Sequence, residues 1–254
     1  MLRKASELER FELLASDGRI GHVTDLFFDD RRWTIRYLVV NTGTWLEHRD
    51  VLVSPASVGA CDWSRRVLPV ALTRSQVEHS PQVDAEEPVT KEQEQRLANY
   101  YSWPLYWTAA GFTDGIIAPL PPFLPVGALQ PQHRATASTL DEQHHVRSVA
   151  DVRGHRIEAN DGEIGRVDDF LVDLATWTIA YLIVDAGHWW AGRRVIVSPE
   201  WIFEVGWDEA KVFMDLPCES VRRSPEYNPS RPLAQAYADR LHEHYGLPHR
   251  SAEP

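Results

Sequence analysis

The sequence lacks several features that mark common protein classes. It has two cysteines, Cys61 and Cys218, which is too few for a disulfide framework, so we expect a reducing compartment. The longest uncharged apolar stretch, residues 115–129, is too short to span a bilayer and contains four prolines. Residues 1–14 mix charged and apolar side chains and lack the apolar core of a signal peptide. We therefore expect a cytoplasmic protein without a membrane span.

Positive charge is also scarce. The chain has 26 Lys and Arg against 37 Asp and Glu, which gives a formal net charge of −11. Proteins that bind nucleic acid or adsorb on anionic lipid need a basic surface. The charge balance therefore predicts no nucleic-acid partner and no simple adsorption on a membrane.

The histidines do not have the spacing of metal ligands. His144 and His145 are adjacent, and His242 and His244 are two residues apart on a predicted helix. In a regular element such neighbours point in different directions, whereas helical zinc sites use histidines four residues apart. The sequence therefore predicts no metal site and no cofactor.

Motifs that carry catalytic chemistry are missing as well. There is no glycine-rich phosphate loop and no Gly-x-Ser-x-Gly sequence. The acidic pairs at 29–30 and 168–169 fit turns and strand edges better than a calcium loop. A nucleophilic role stays open for Cys61 or Cys218, although unreactive thiols are commoner. We expect no catalytic residue and a protein that is not an enzyme.

What the sequence does contain is an internal duplication with a constant offset of 144 residues. The segment Trp33–Val40 returns as Trp177–Val184, and the offset holds far beyond it. Further pairs with the same offset are Asp17 and Asp161, Gly21 and Gly165, Asp25 and Asp169, Pro55 and Pro199, Trp63 and Trp207, Pro81 and Pro225, Tyr101 and Tyr245. The duplication divides the chain into residues 1–104, a Pro-rich connector at 105–146, and residues 147–254.

Each repeat is dominated by short strand patterns with turn signals between them, followed by one amphipathic helix. In the central strand Ile35, Tyr37 and Val39 share one face with Trp33, and we expect this face to fill a barrel interior. The helix is predicted to start at Thr90. The fold class we predict is mainly β, with two small antiparallel barrels in tandem, each followed by a C-terminal helix.

The connector is rich in proline and in large apolar residues, unlike a flexible polar linker. The stretch Pro119–Pro122 is compatible with a polyproline ligand. A packed connector that lies on the surface of one barrel is the simpler interpretation.

The repeated pattern resembles a known family. The residues that carry the resemblance are Asp17-Gly18, Ile20-Gly21 and Val23, then Trp33–Val40, then the stretch from Trp45 to Pro55. They resemble the PRC-barrel domain, named for the photosynthetic reaction-centre H subunit and also found at the C-terminus of a ribosome maturation factor. In the second repeat, Ser224–Tyr227 and Tyr245–Pro248 resemble the tail of free-standing bacterial PRC-barrel proteins.

This resemblance implies a protein-binding barrel without catalytic residues, and an unknown protein partner. We expect no membrane helix before the barrel and no RNA-processing domain fused to it, so neither specific role transfers cleanly. Two alternatives stay open. One is a peripheral component of a photosynthetic or electron-transfer complex, and the other is an enzyme with a site between the barrels.

Large aromatic and arginine residues at matching loop positions are candidate protein-interaction residues, because Trp and Arg are favoured interface anchors. The alternative is that each Trp covers its own barrel and each Arg pairs with a strand-edge carboxylate. The candidates are Trp45, Arg49, Trp189, Trp190 and Arg193.

Apolar residues on both faces of the central strands predict that the two barrels pack together as an intramolecular pseudo-dimer. A barrel strand needs only one apolar face, and like surfaces are self-complementary about a two-fold axis. The candidate packing residues are Phe27, Leu38, Val40, Leu171, Leu182 and Val184.

Overall fold

The computed structural model describes residues 1–83, 88–105, 146–187, 193–228 and 235–245. The described part of the first repeat contains β1 (Leu2–Lys4), α1 (Ala5–Leu8), β2 (Glu12–Ala15), β3 (Gly18–Asp29), β4 (Thr34–Asn41), β5 (Asp50–Val53), β6 (Val67–Pro69), α2 (Arg74–Glu78) and α3 (Lys91–Tyr101). The second contains β7 (Val146–Ser148), α4 (Val149–Val152), β8 (Arg156–Ala159), β9 (Gly162–Asp173), β10 (Thr178–Asp185), β11 (Arg194–Val197), β12 (Ile202–Gly206), β13 (Lys211–Met214), α5 (Cys218–Arg222) and α6 (Gln235–Tyr245). Nearly all of the connector, with Pro119–Pro122, lies outside the described residues.

The fold is mainly β, as predicted, but its sheet is arranged differently. The strands form one thirteen-stranded sheet that is not closed, with the order β12-β13-β8-β9-β10-β4-β3-β2-β6. The other four strands branch from it: β1 pairs with β9, β7 with β3, β5 with β4 and β11 with β10. The sheet is also not wholly antiparallel, since β2 pairs with β6, and β8 with β13, in parallel.

The two long hairpins, β3–β4 and β9–β10, match each other down to their β-bulges. In the first hairpin the extra residues are Thr24 and Arg36. In the second they are Asp168 and Ala180, each 144 residues further on. A bulge interrupts the alternation of faces along a strand.

The bulge in β4 makes the predicted assignment of faces wrong. Tyr37 and Val39 lie in a small cluster together with Leu97 of α3, on the face that this helix covers. Leu38 and Val40 instead belong to the main hydrophobic core, together with Ile35. The inserted residue moves every later side chain to the opposite face, which a strict period of two does not anticipate.

The repeats are joined by a reciprocal exchange of their first segments. Strand β1 pairs with β9 of the second repeat, and β7 pairs with β3 of the first. Asp25 accepts hydrogen bonds from the Ser148 hydroxyl at 2.5 Å and from the Ala150 amide at 3.1 Å. At the equivalent place Asp169 accepts from the hydroxyl of Ser6 at 2.5 Å and from its amide at 3.3 Å. Each carboxylate thus anchors the segment that the other repeat supplies.

The contact between β4 and β10 has approximate two-fold symmetry. Thr34 pairs with Thr178, which stands 144 residues later, and two backbone hydrogen bonds of 2.7 Å flank this pair. Glu9 forms an ion pair with Arg153, again at equivalent positions of the two repeats. Equivalent positions meet in this way only close to a two-fold axis.

The candidate packing residues divide into two groups. Phe27 and Leu171 lie where β3 and β9 pair with the exchanged strands. The other four candidates pair, through their backbones, with strands of their own repeat, and their role between the repeats stays a prediction. These four are Leu38, Val40, Leu182 and Val184.

Close backbone contact explains one glycine in each repeat. A Cβ atom on Gly21 would lie 2.0 Å from the carbonyl oxygen of Asn41, and one on Gly165 would lie 2.1 Å from that of Asp185. Only glycine allows this approach.

The predicted start of α3 is confirmed, since the Thr90 side chain caps the helix in a capping box.

Candidate functional site

Trp45 lies in a short 3-10 turn after β4 and is half-buried. Its indole N–H donates a hydrogen bond to the carbonyl oxygen of Ile20, and the Arg74 guanidinium lies 4.3 Å from the centre of its ring. A cavity of about 370 Å³ adjoins this turn. One edge of the indole is therefore bound to its own repeat, and one face is covered by an arginine.

Arg49 holds the end of helix α2. Its Nη2 atom donates to the carbonyl oxygens of Ser80 at 2.6 Å and Pro81 at 3.2 Å, and Nη1 donates to that of Glu78 at 3.1 Å. Cations bind favourably to the carbonyl groups that a helix leaves unpaired at its C-terminus. The guanidinium of Arg49 therefore ties the β4–β5 loop to the segment after α2.

Arg193 repeats this arrangement in the second repeat. Its Nη2 atom donates to the carbonyl oxygen of Ser224 at 2.7 Å, and Ser224 stands 144 residues after Ser80. Trp189 and Trp190 lie outside the described residues. The interaction role of the five loop residues stays a prediction. Both arginines donate to backbone carbonyl groups, and Arg49 also donates to the Ser80 hydroxyl at 3.0 Å.

Neither cysteine is placed as a nucleophile. Burial raises the pKa of the Cys218 thiol to about 12, and a hydrogen bond to Asp161 adds to the effect. Burial likewise raises the pKa of Cys61, and the neighbouring Asp62 carboxylate raises it further. A thiol attacks as its thiolate, so both groups are in the unreactive form near neutral pH. Neither forms a disulfide.

The buried acidic groups have structural partners. Asp29 forms an ion pair with Arg36 at 2.9 Å, and Glu94, which is 2 % exposed, accepts a hydrogen bond from the Tyr37 hydroxyl at 3.2 Å.

Within the described ranges, no three His, Cys, Asp or Glu side chains come together as a metal site. In the same ranges, no helix is both long and apolar enough to cross a bilayer.

A second cavity, of about 620 Å³, lies between α1 and the loop before β6. One wall is aromatic: the Trp63 ring contacts Phe11 edge-on at 5.0 Å and lies under the Arg3 guanidinium at 4.2 Å. Arg10 and Arg66 also line this cavity. Sequence reasoning did not single out these two arginines, although comparison at the 144-residue offset shows Gly154 and Ala210 in their places.

Strand β12 provides the most exposed aromatic side chain of the described residues. Phe203 is 65 % exposed and lies on β12, the terminal strand of the sheet. The equivalent position of the first repeat is Gly59, which belongs to no strand. This aromatic edge is therefore a property of the second repeat alone.

A comparison with family models matches residues 2–70 to the PRC-barrel domain. Residues 2–70 form a PRC-barrel domain. The PRC-barrel match begins at β1, the exchanged strand, and ends just after β6. No curated protein matches the chain in a sequence comparison.

Proposed function

We propose that the chain is a non-enzymatic protein-binding scaffold, and that residues 147–254 form a second PRC-barrel in tandem with the first. The order of strands and helices in the two repeats supports the second barrel, as do the matching bulges and the reciprocal exchange. The exchange and the two-fold contact also support an intramolecular pseudo-dimer. In this proposal the boundaries are 1–104, 105–146 for the connector and 147–254.

The absence of enzymatic activity is part of the proposal. Cys218 is held as a thiol by burial and by Asp161, and Glu94 and Asp29 are bound to structural partners. General acid–base catalysis needs a titratable group that reaches a bound substrate. These groups instead maintain contacts between strands and helices.

The observation that carries the binding function is Phe203 on the terminal strand β12. An edge strand presents backbone groups that another strand can pair with, and an exposed aromatic side chain adds an anchor. Large apolar side chains that stay exposed in a folded protein mark interaction sites when they form a patch. Here Phe203 is the exposed ring, and the half-buried ring of Phe213 lies 6.1 Å from it. We propose that an extended segment of the partner protein pairs with β12 and packs on Phe203.

Site-specific photo-crosslinking tests this surface. The photoreactive amino acid benzoylphenylalanine replaces Phe203 in the full chain, which is then irradiated in extract of the native cell. A matched control carries the same group at Leu14, which is 40 % exposed on β2 but not on an edge strand. We expect one protein to be crosslinked from position 203 and not from 14. Equal products at both positions, or none, would contradict the proposal.

The identity of the crosslinked protein decides between the candidate roles. Reaction-centre or light-harvesting subunits would support the peripheral component of a photosynthetic complex, and any other single partner would support a general scaffold. We propose the cytoplasm as the location, because Cys61 and Cys218 are both free.

A further inference from the structure

The arginines that line the cavity beside Trp63 outnumber the acidic side chains that line it. Its lining includes three arginines and two glutamates. Glu9 is bound by Arg153, which comes from the second repeat, and Glu7 lies 3.8 Å from Arg3. Both acidic groups therefore have a cationic partner already. Among the described residues, the guanidinium groups of the other two arginines form no ion pair.

Those two arginines, Arg10 and Arg66, occupy unfavourable backbone conformations. Their φ angles are +70° and +54°, in the left-handed region that favours glycine. The second repeat adopts the same conformations with Gly154 at +84° and Ala210 at +52°. The turns therefore form without arginine. At position 10 the second repeat uses glycine and avoids the cost of about 1–2 kcal/mol for a left-handed residue with a side chain, whereas Ala210 bears the same cost as Arg66. The backbone conformation therefore requires an arginine at neither position.

The surroundings suit a small ligand. The volume of about 620 Å³ falls in the range of small-molecule sites, roughly 300–1,000 Å³, and the cavity is open to solvent, with both Arg10 and Arg66 exposed. The wall formed by Trp63, Phe11 and Arg3 is held in place by ring contacts, so it needs little ordering when a ligand binds. A guanidinium group matches the paired oxygens of carboxylate and phosphate.

We propose that this cavity binds a small organic anion that carries a carboxylate or a phosphate group. Arg10 and Arg66 contact the oxygens of the anion, and Trp63 packs against its carbon skeleton. The site belongs to the first repeat only, because the second repeat has neither arginine. It is independent of the partner surface on β12.

Calorimetric titration of the full chain at low salt tests this proposal with two probes, citrate for carboxylates and pyrophosphate for phosphates. The test variant R10G/R66A carries the residues that the second repeat uses at these positions, so its turns are expected to form. The control R31A/R32A removes the same charge from two exposed arginines outside the cavity. The single variant R66A repeats the test should the double variant be poorly folded.

We expect at least one probe to bind wild type at one site per chain. The affinity should fall at least tenfold in R10G/R66A, measurably in R66A, and less than twofold in R31A/R32A. Binding of only one probe identifies the anionic group and supports the proposal. Absence of saturable binding by both probes, or an equal loss of affinity in the control, would overturn it.

Discussion

Removing the Asp25 carboxylate should weaken the union of the two repeats. In Asp25→Ala, the Ser148 hydroxyl and the Ala150 amide lose their acceptor, while β3 and β7 keep their backbone pairing. Hydrogen bonds to charged groups contribute about 1.5–3 kcal/mol each, so the two bonds together contribute roughly 3–6 kcal/mol. Burial raises the pKa of Asp25, which shows that the charged carboxylate is also costly to bury. We therefore expect a net loss of about 2–3 kcal/mol.

Chemical unfolding of the full chain measures this loss. Thermal unfolding gives a second measure of it. For a chain of this size, each 1 kcal/mol of unfolding free energy corresponds to about 2–4 °C in Tm, so Tm should fall by about 4–12 °C. Asp169→Ala removes the equivalent anchor and should have a similar effect. Asp208→Ala, at an exposed position, serves as the control and should stay within about 0.5 kcal/mol of wild type. If Asp25→Ala behaves like this control, the carboxylate does not stabilise the exchange.

Three further outcomes are expected. Gly21→Ala and Gly165→Ala should each lose more than about 3 kcal/mol of unfolding free energy, because the new Cβ meets a backbone carbonyl, whereas Gly59→Ala should be tolerated. Comparable stability of all three variants would contradict the close approach. The Cys218 thiol has a pKa of about 12, so at mildly alkaline pH Ellman's reagent should leave it unmodified in the native chain and modify it once the chain is unfolded. Rapid modification of Cys218 in the native chain would refute its burial. Burial raises the pKa of Asp25 in the folded chain, so the protonated carboxyl favours folding. This contribution to stability is fully present below the unfolded pKa of 3.8 and is lost as pH rises through the folded pKa. Chemical unfolding of Asp25→Asn at several pH values should lack this pH dependence.

The hairpins and the last helices were predictable because their signals are local. The alternation of apolar residues, the turn at 17–18 and the cap at Thr90 each act over a few residues. The 144-residue offset extended these local predictions to the second repeat. The PRC-barrel resemblance, confirmed at residues 2–70, rests on the same local pattern.

The rest depends on contacts between residues distant in sequence. Strands β1 and β7 have three residues each, too short for periodicity to mark, and they are strands only because the other repeat supplies their partner. The bulge at Arg36 reverses the faces of β4, although nothing in the local sequence marks an inserted residue. The carbonyl partners of Arg49 follow from where α2 ends.

The ion pair between Glu9 and Arg153 has a consequence for the specificity of pairing. In a symmetric homodimer, a side chain next to the two-fold axis faces its own copy, so a carboxylate would meet a carboxylate. Covalent fusion of the copies frees the two positions to differ, and here one became acidic and the other basic. Two first repeats would bring Glu9 against Glu9, and two second repeats Arg153 against Arg153, and like charges in contact oppose association. Divergence at this one position therefore favours pairing of each repeat with its fused neighbour over pairing with its own kind in another molecule.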